Sequence, residues 1–307
     1  MDGRFKLIFL VAVLFLTSLP VIGILKGTDR PSVPDDGSRP QVATSEFHSP
    51  HDQETNLDLH SLDEMVEVTA GEFILGSNDG GYNEKPAHRE FLDTFWIDKY
   101  EITNQQYQEF VEATGHRQPG PPSRYARKFE ALRSPIQPVT YVSWGDADAF
   151  CRWKGKRLPR EKEWEKAVRG PDGQTWPWGN GMEGLQANFD GDADGYPVTA
   201  PVGSFPADQS VYGVYDGAGN LMEWVDDWYI EDLYKTGHAD SGVHGKTPST
   251  YKTMRGGGYT SRGIDLRITN RSFMVPDFRD ETIGFRCASD GSLIHRREDG
   301  TETSRKN

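Results

Sequence analysis

The sequence predicts an α+β domain rich in loops, with short helices and short strands. Three observations carry this expectation. Almost all of the 8 Trp, 12 Tyr and 15 Phe, with most of the 33 Gly, fall in the middle of the 307-residue chain, which suits turns held by aromatic packing. Capping signatures open three short helical runs in that region, each closed by a glycine. Period-two alternation is confined to brief stretches bounded by turn residues. The apolar share of 35% is below the usual globular value. The polar excess lies in residues 27–63 and from Asp290 onward.

The N-terminus reads as an export element. Arg4 and Lys6 precede an uncharged run of 19 residues, Leu7 to Leu25, near the minimum for a spanning helix. Pro20 and the Val21-x-Gly23 pattern equally permit cleavage. Residues 1–26 are therefore expected to be a signal peptide or an uncleaved anchor, placing the chain outside the cytoplasm, in a periplasm or secretory lumen. No Cys lies at or just after the run, which excludes a bacterial lipoprotein anchor. Residues 27–63 read as a disordered linker, 64–290 as the folded domain and 291–307 as a disordered tail. Membrane contact is expected only through the N-terminal segment. A net charge of -13 makes the average phosphate interaction repulsive, so no nucleic-acid partner is expected.

Within the domain, Val66 to Gly76 alternates well enough for two strands around Ala70-Gly71, and Phe95 to Ile102 reads as another. Thr103-x-x-Gln106 opens a helix that carries Tyr107, Phe110 and Val111 and stops at Gly115. Ser143-x-x-Asp146 opens a second, presenting Phe150 and Cys151 and ending by Gly155. The third places Pro159 in its first turn, carries Trp164 and Val168, and stops at Gly170. The two cysteines, Cys151 and Cys287, form one disulfide in an exported chain or are two separate buried thiols in a cytosolic one.

Two loops offer hard oxygen donors. Asp190-Gly191-Asp192-Ala193-Asp194-Gly195 spaces three carboxylates like the first half of an EF-hand, but its twelfth position is Pro201, where a bidentate Glu is required. An EF-hand is rejected, which leaves another kind of calcium loop or an acidic turn without an ion. Tyr215 to Tyr229 runs a glycine-rich turn with Asp216, Asn220 and Glu223 into large aromatics. It reads as a calcium loop or as a tight turn before a buried segment.

Six motifs occur in one order: Val142-Ser143-Trp144-Gly145-Asp146-Ala147, Lys156 to Glu165, Trp176-Pro177-Trp178-Gly179, Gly217 to Trp224, Arg255-Gly256-Gly257-Gly258-Tyr259 and Gly284-Phe285-Arg286-Cys287. Over about Met65 to Asp290 the chain thereby resembles the formylglycine-generating enzyme, or sulfatase-modifying factor, family. The resemblance implies a loop-rich variant of the C-type-lectin-like fold, two calcium ions and export from the cytosol. It puts one calcium on Asn188, the Phe189 carbonyl, Asp194 and the Tyr196 carbonyl, and the other on Asp216, the backbone of Gly219 and Leu221, and Glu223. It also assigns Cys151 and Cys287 to one structural disulfide. The positions of a second family disulfide hold Val168 and Arg271.

The resemblance breaks at the reactive pair. The family binds copper with two cysteines to oxidise a substrate cysteine, and those positions here hold Ser261 and Leu266. A hydroxyl is a poor ligand for soft Cu(I) and leucine is none, so no copper and no cysteine/copper formylglycine chemistry are expected. Two functions stay open. One is another oxidative maturation of a protein or small molecule, with Asn220, Trp228, Tyr259, Ser261 and Arg262 as cleft candidates. The other is a non-catalytic lectin-like scaffold for a protein or glycan partner. No His lies near Ser261 in sequence to make it a nucleophile, and Arg262 reads equally as a carboxylate anchor or a surface charge.

Overall fold

A computed structural model describes residues 62–120, 130–182, 184–191, 193–236 and 249–291, all within one compact unit spanning 49–307. The export element, all but the last two residues of the linker, and residues 292–307 of the tail lie outside the described residues. Among the described residues no helix is long and apolar enough to cross a membrane.

The two strands expected around Ala70-Gly71 form as β1 (Met65–Val68) and β2 (Gly71–Leu75), but they do not pair with each other. β2 pairs antiparallel with β3 (His88–Leu92), and β1 with β4 (Phe95–Asp98). The strand expected to reach Ile102 stops at Asp98, whose carboxylate takes the Lys156 ammonium and the Cys287 N–H. That anchoring turns the chain so that Glu101 points into the interior, 1% exposed.

Helix α1 (Asn104–Thr114) forms where the capping box predicts it. Gln106 Oε1 accepts from Thr103 N at 2.9 Å, and Gly115 closes the helix at φ 71°. Helix α2 (Trp144–Trp153) is capped likewise by Ser143 and Asp146, and Cys151 faces the core. Helix α3 (Glu161–Arg169) starts later than expected, with Arg160 as its N-cap and Pro159 outside it. Two carboxylates set that start. Glu163 Oε2 accepts from Arg160 N at 2.8 Å, and Asp227 Oδ2, from a distant strand, accepts from Glu161 N at 2.6 Å.

Asp227 gives a pH signature. Burial, reinforced by the Glu161 charge, pushes its carboxyl up to about 7 from the ordinary 3.8. Between those values the native state holds a proton that the unfolded chain has released, so stability falls as pH rises from about 4 to about 7. Asp227→Asn keeps an acceptor for Glu161 N and removes the titration. Thermal melts at about pH 5 and about pH 7.5 should show the variant gaining on the parent at the higher pH. An unchanged difference across that window would contradict the assignment.

The chain continues through β5 (Met222–Trp228), α4 (Leu233–Thr236), β6 (Lys252–Arg255), β7 (Ser272–Met274), β8 (Ile283–Gly284) and β9 (Ala288–Ser289). β9 joins β4 to complete the sheet β1-β4-β9, and the largest sheet runs β7-β6-β5-β8. One core packs Trp164, Ala167 and Val168 of α3 against Phe73 of β2, Ile97 of β4 and Val225 of β5. Another packs Tyr107, Phe110, Phe150 and Phe285 with the disulfide. Cys151 and Cys287 are bonded, with Cα atoms 5.6 Å apart across 136 positions, which decides between the two sequence readings of the pair.

Candidate functional site: two oxygen-rich loops beneath the Ser261 segment

The two loops singled out in the sequence meet in the interior. Asn220 N donates to the Asn188 carbonyl at 3.0 Å, and Asn188 Nδ2 donates to Asn220 Oδ1 at 3.1 Å. This approach requires Gly219, where a Cβ would stand 2.4 Å from the Asn188 carbonyl oxygen and φ is +105°. Asp216 and Asn220 also take positive φ, at 56° and 58°, which short polar side chains tolerate. The loop therefore turns its carbonyls and acids inward.

In the first loop Asp194 accepts from Phe189 N at 3.2 Å and from Tyr196 N at 2.9 Å, which draws Phe189, Asp194 and Tyr196 together. Asn188 is 1% exposed, and its Oδ1 is enclosed without a hydrogen-bond donor. An enclosed oxygen of this kind costs free energy unless a donor or a cation meets it.

In the second loop Asp216 Oδ2 accepts from Gly203 N at 2.7 Å. Glu223 takes a two-pronged ion pair from the buried Arg286, at 2.7 Å on each oxygen, and a bond from Trp164 Nε1 at 3.0 Å. Two acids that sequence reasoning missed join them. Glu101 accepts from Asn220 Nδ2 at 2.7 Å and from Leu221 N at 3.1 Å, while Asp208 stands 3.4 Å from Ala218 N. Burial, with the charges of Asp216 and Glu223, pushes Glu101 and Asp208 well above the carboxylate range, and burial pushes Asp216 up to about 6. Four buried carboxylates thus share one guanidinium.

Among the described residues no three His, Cys, Asp or Glu side chains stand together as a metal-holding group. Each ligand set implied by the resemblance instead combines two side chains with two carbonyls. Asn188, Phe189, Asp194 and Tyr196 form one such set, and Asp216, Gly219, Leu221 and Glu223 the other.

Above these loops Tyr259 N donates to the Asn220 carbonyl at 2.8 Å, and Asp190 N to the Ser261 carbonyl at 3.0 Å. Ser261 Oγ accepts from Gly258 N at 3.0 Å and closes the turn. Leu266 is fully buried with Trp176, Ala187 and Ala218. The five cleft candidates do not share one surface. Asn220 and Tyr259 are buried at 3% and 2%, and both ends of the Asn220 amide and the Tyr259 backbone N–H bond within the interior. Arg262 is exposed and pairs with Asp265 at 2.8 Å. Trp228 stands at the far end of β5 from the Asn220 turn. A cavity of about 780 Å³ lies beside the segment, lined in part by Asn78, Asp79, Trp176, Asn180, Ile264 and Arg267, with none of the five candidates in its wall.

This arrangement of turns around short strands has clear relatives. The sulfatase-modifying factor enzyme 1-like domain matches residues 51–291. The chain belongs to this family. A formylglycine-generating enzyme from Thermomonospora curvata is 32% identical over 284 residues, covering 74% of this chain and 93% of that one. The solved structure of PvdO from Pseudomonas aeruginosa superposes with a TM-score of 0.63 at 29% identity, covering 75% of this chain and 95% of the other. The fold is accordingly the sulfatase-modifying factor variant of the C-type-lectin-like fold. A protein named serine/threonine-protein kinase pkn1, from Chlamydia caviae, is 36% identical over 243 residues, which are 73% of this chain and 38% of that relative. The chain thus spans only about two fifths of that relative's length.

Proposed function

We propose that this chain is an exported, calcium-stabilised binding module of the sulfatase-modifying factor family that does not generate formylglycine. One observation carries the reading. The two thiols of the sequence are joined to each other in the core, and the two positions where the family binds copper hold a turn-capping hydroxyl and a packed leucine. Neither Ser261 nor Leu266 offers the soft ligand that Cu(I) needs.

The calcium part rests on donor chemistry. Asn188, the Phe189 carbonyl, Asp194 and the Tyr196 carbonyl would hold one ion, and Asp216, the Gly219 and Leu221 carbonyls and Glu223 the other. All are hard oxygens of the kind calcium takes. The unmet Asn188 Oδ1 and the excess of buried carboxylates over guanidinium are both relieved by a divalent cation. Bound there, calcium supplies charge that ties the loops together. The chain's own residues fix the turns, through Gly219, Asn220 and Arg286. The partial match to the Chlamydia relative suits a unit that can be appended to other proteins.

Metal content tests the reading. Protein incubated with calcium and copper and then desalted should retain about two calcium ions per chain and no copper, and a chelator should lower its melting temperature. Stoichiometric copper or iron would overturn it.

A further inference from the structure

The Trp176-Pro177-Trp178-Gly179-Asn180 motif has no task in the two loops, yet its first and last residues line the cavity of about 780 Å³ beside the Ser261 segment. That volume lies within the range of small-molecule sites, about 300–1,000 Å³. The turn is fixed from within. Trp176 N donates to the Gly179 carbonyl at 2.9 Å, and Asn180 Oδ1 accepts from Thr175 N at 2.9 Å and from Thr175 Oγ1 at 3.0 Å. Trp176 stacks on Trp178 with the rings 3° from parallel. It is 8% exposed, and its Nε1–H is enclosed without an acceptor. An orphaned indole N–H costs free energy until an acceptor meets it. Asn180 and Ile264 in the same wall are exposed and can give way to one.

The groups still uncommitted in the wall select the occupant. Both guanidinium groups that line it are bonded within the chain at every nitrogen, Arg169 to four carbonyls and Glu165, Arg267 to Glu84 and the Ile264 carbonyl. An anion would therefore find no available cation and would meet Asp79, whose carboxylate has no ion pair or hydrogen bond among the described residues. A cation would face the two guanidinium groups. What remains is a neutral donor set with one acceptor. Asn78 Oδ1 is taken by Ala87 N at 3.0 Å and Asn180 Oδ1 by Thr175, which leaves both Nδ2 groups to donate and Asp79 to accept. Ile74 and Ile264, the latter 55% exposed, supply the apolar wall. A sugar ring is the complement of this set, since each hydroxyl both donates and accepts and the C–H faces are apolar. We infer that the cavity is a binding site for a neutral saccharide. Asp79 would accept from a hydroxyl, Asn78 and Asn180 would donate to others, and a C–H face would cover Ile264. This names a partner class for the binding-module reading, on which it rests.

The probe is an array of short neutral oligosaccharides of hexoses and N-acetylhexosamines, printed beside their sulfated and sialylated counterparts and overlaid with the full chain. At least one neutral sugar should bind, with an affinity by calorimetry that salt leaves unchanged. Asp79→Ala should weaken it by about tenfold, and Trp176→Phe, which keeps a ring and removes the N–H, by about threefold. Asp79 is exposed and its carboxylate holds nothing in the chain, so that variant should melt with the parent and its loss of binding is not unfolding. Phe91→Ala, an exposed ring outside the cavity, should leave binding unchanged. An array without a bound neutral sugar, a preference for the charged counterparts, or full affinity in both Asp79→Ala and Trp176→Phe would overturn the proposal. Failure here with no formylglycine formed sinks only the saccharide site. Formylglycine formation sinks the module reading and leaves the sugar result to stand by itself.

Discussion

Replacing Glu161 with alanine is expected to cost about 3–5 kcal/mol of stability, because it strands buried positive charge. Glu161 Oε1 accepts from Arg255 and from Arg271 at 2.7 Å each, and Oε2 accepts from Arg271 at 2.8 Å. Both guanidinium side chains are fully buried. Arg255 would keep Glu165 at 2.6 Å, but Arg271 would retain the Asn83 and Ile230 carbonyls and the Tyr229 and Tyr234 ring faces, and no carboxylate among its described partners. A guanidinium held in the interior by carbonyls and ring faces is not neutralised. The loss should lower the melting temperature by roughly 10 °C for a domain of this size. Because one interaction is broken twice, removing Glu161 and Arg271 together should cost less than the sum of the two single changes. Strict additivity would show that the pair does not act as a unit.

The disulfide is expected to have an effect of similar size. Its two cysteines are 136 positions apart, and closing a loop of that length removes about 5 kcal/mol of unfolded-state entropy in the chain-entropy model. The Cys151→Ala, Cys287→Ala double variant should therefore lose several kcal/mol, about 5 at most, in urea unfolding followed at fixed temperature. Both cysteines are fully buried, so mild reductant without denaturant should leave the bond intact. Ready reduction of the native protein would contradict a structural role and favour a redox sensor.

Much of the local structure was legible because its causes are local. The capping boxes at Thr103 and Ser143 lie within four residues, and both helices form where they predict. The start of α3 was misplaced because its first N–H is taken by Asp227, 66 positions away. Strand existence was readable around Ala70-Gly71, but pairing was not, since β1 finds β4 and β2 finds β3. Strands as short as β8 and β9, two residues each, carry no periodicity to read. The same split holds in the site. Asp216, Gly219 and Glu223 announce themselves within one turn, whereas Glu101 reaches Asn220 from 119 positions away and Arg286 reaches Glu223 from 63. Asp208 carries no local signal at all. Arg286 stood inside the Gly284-Phe285-Arg286-Cys287 motif, yet only the fold gives it a task. The buried Asn220 and Tyr259 show why cleft residues are hard to read from motifs, since a polar residue beside a reactive segment can serve the interior instead.

The central claim is that the family's frame persists here without its reaction. It is tested most directly by incubating the purified chain with copper, oxygen, a thiol reductant and a sulfatase-type cysteine peptide, then measuring aldehyde by mass spectrometry. The account predicts that the peptide keeps its cysteine, because Ser261 and Leu266 offer Cu(I) no thiolate and Cys151 and Cys287 are bonded to each other. Catalytic accumulation of the formylglycine peptide would contradict it.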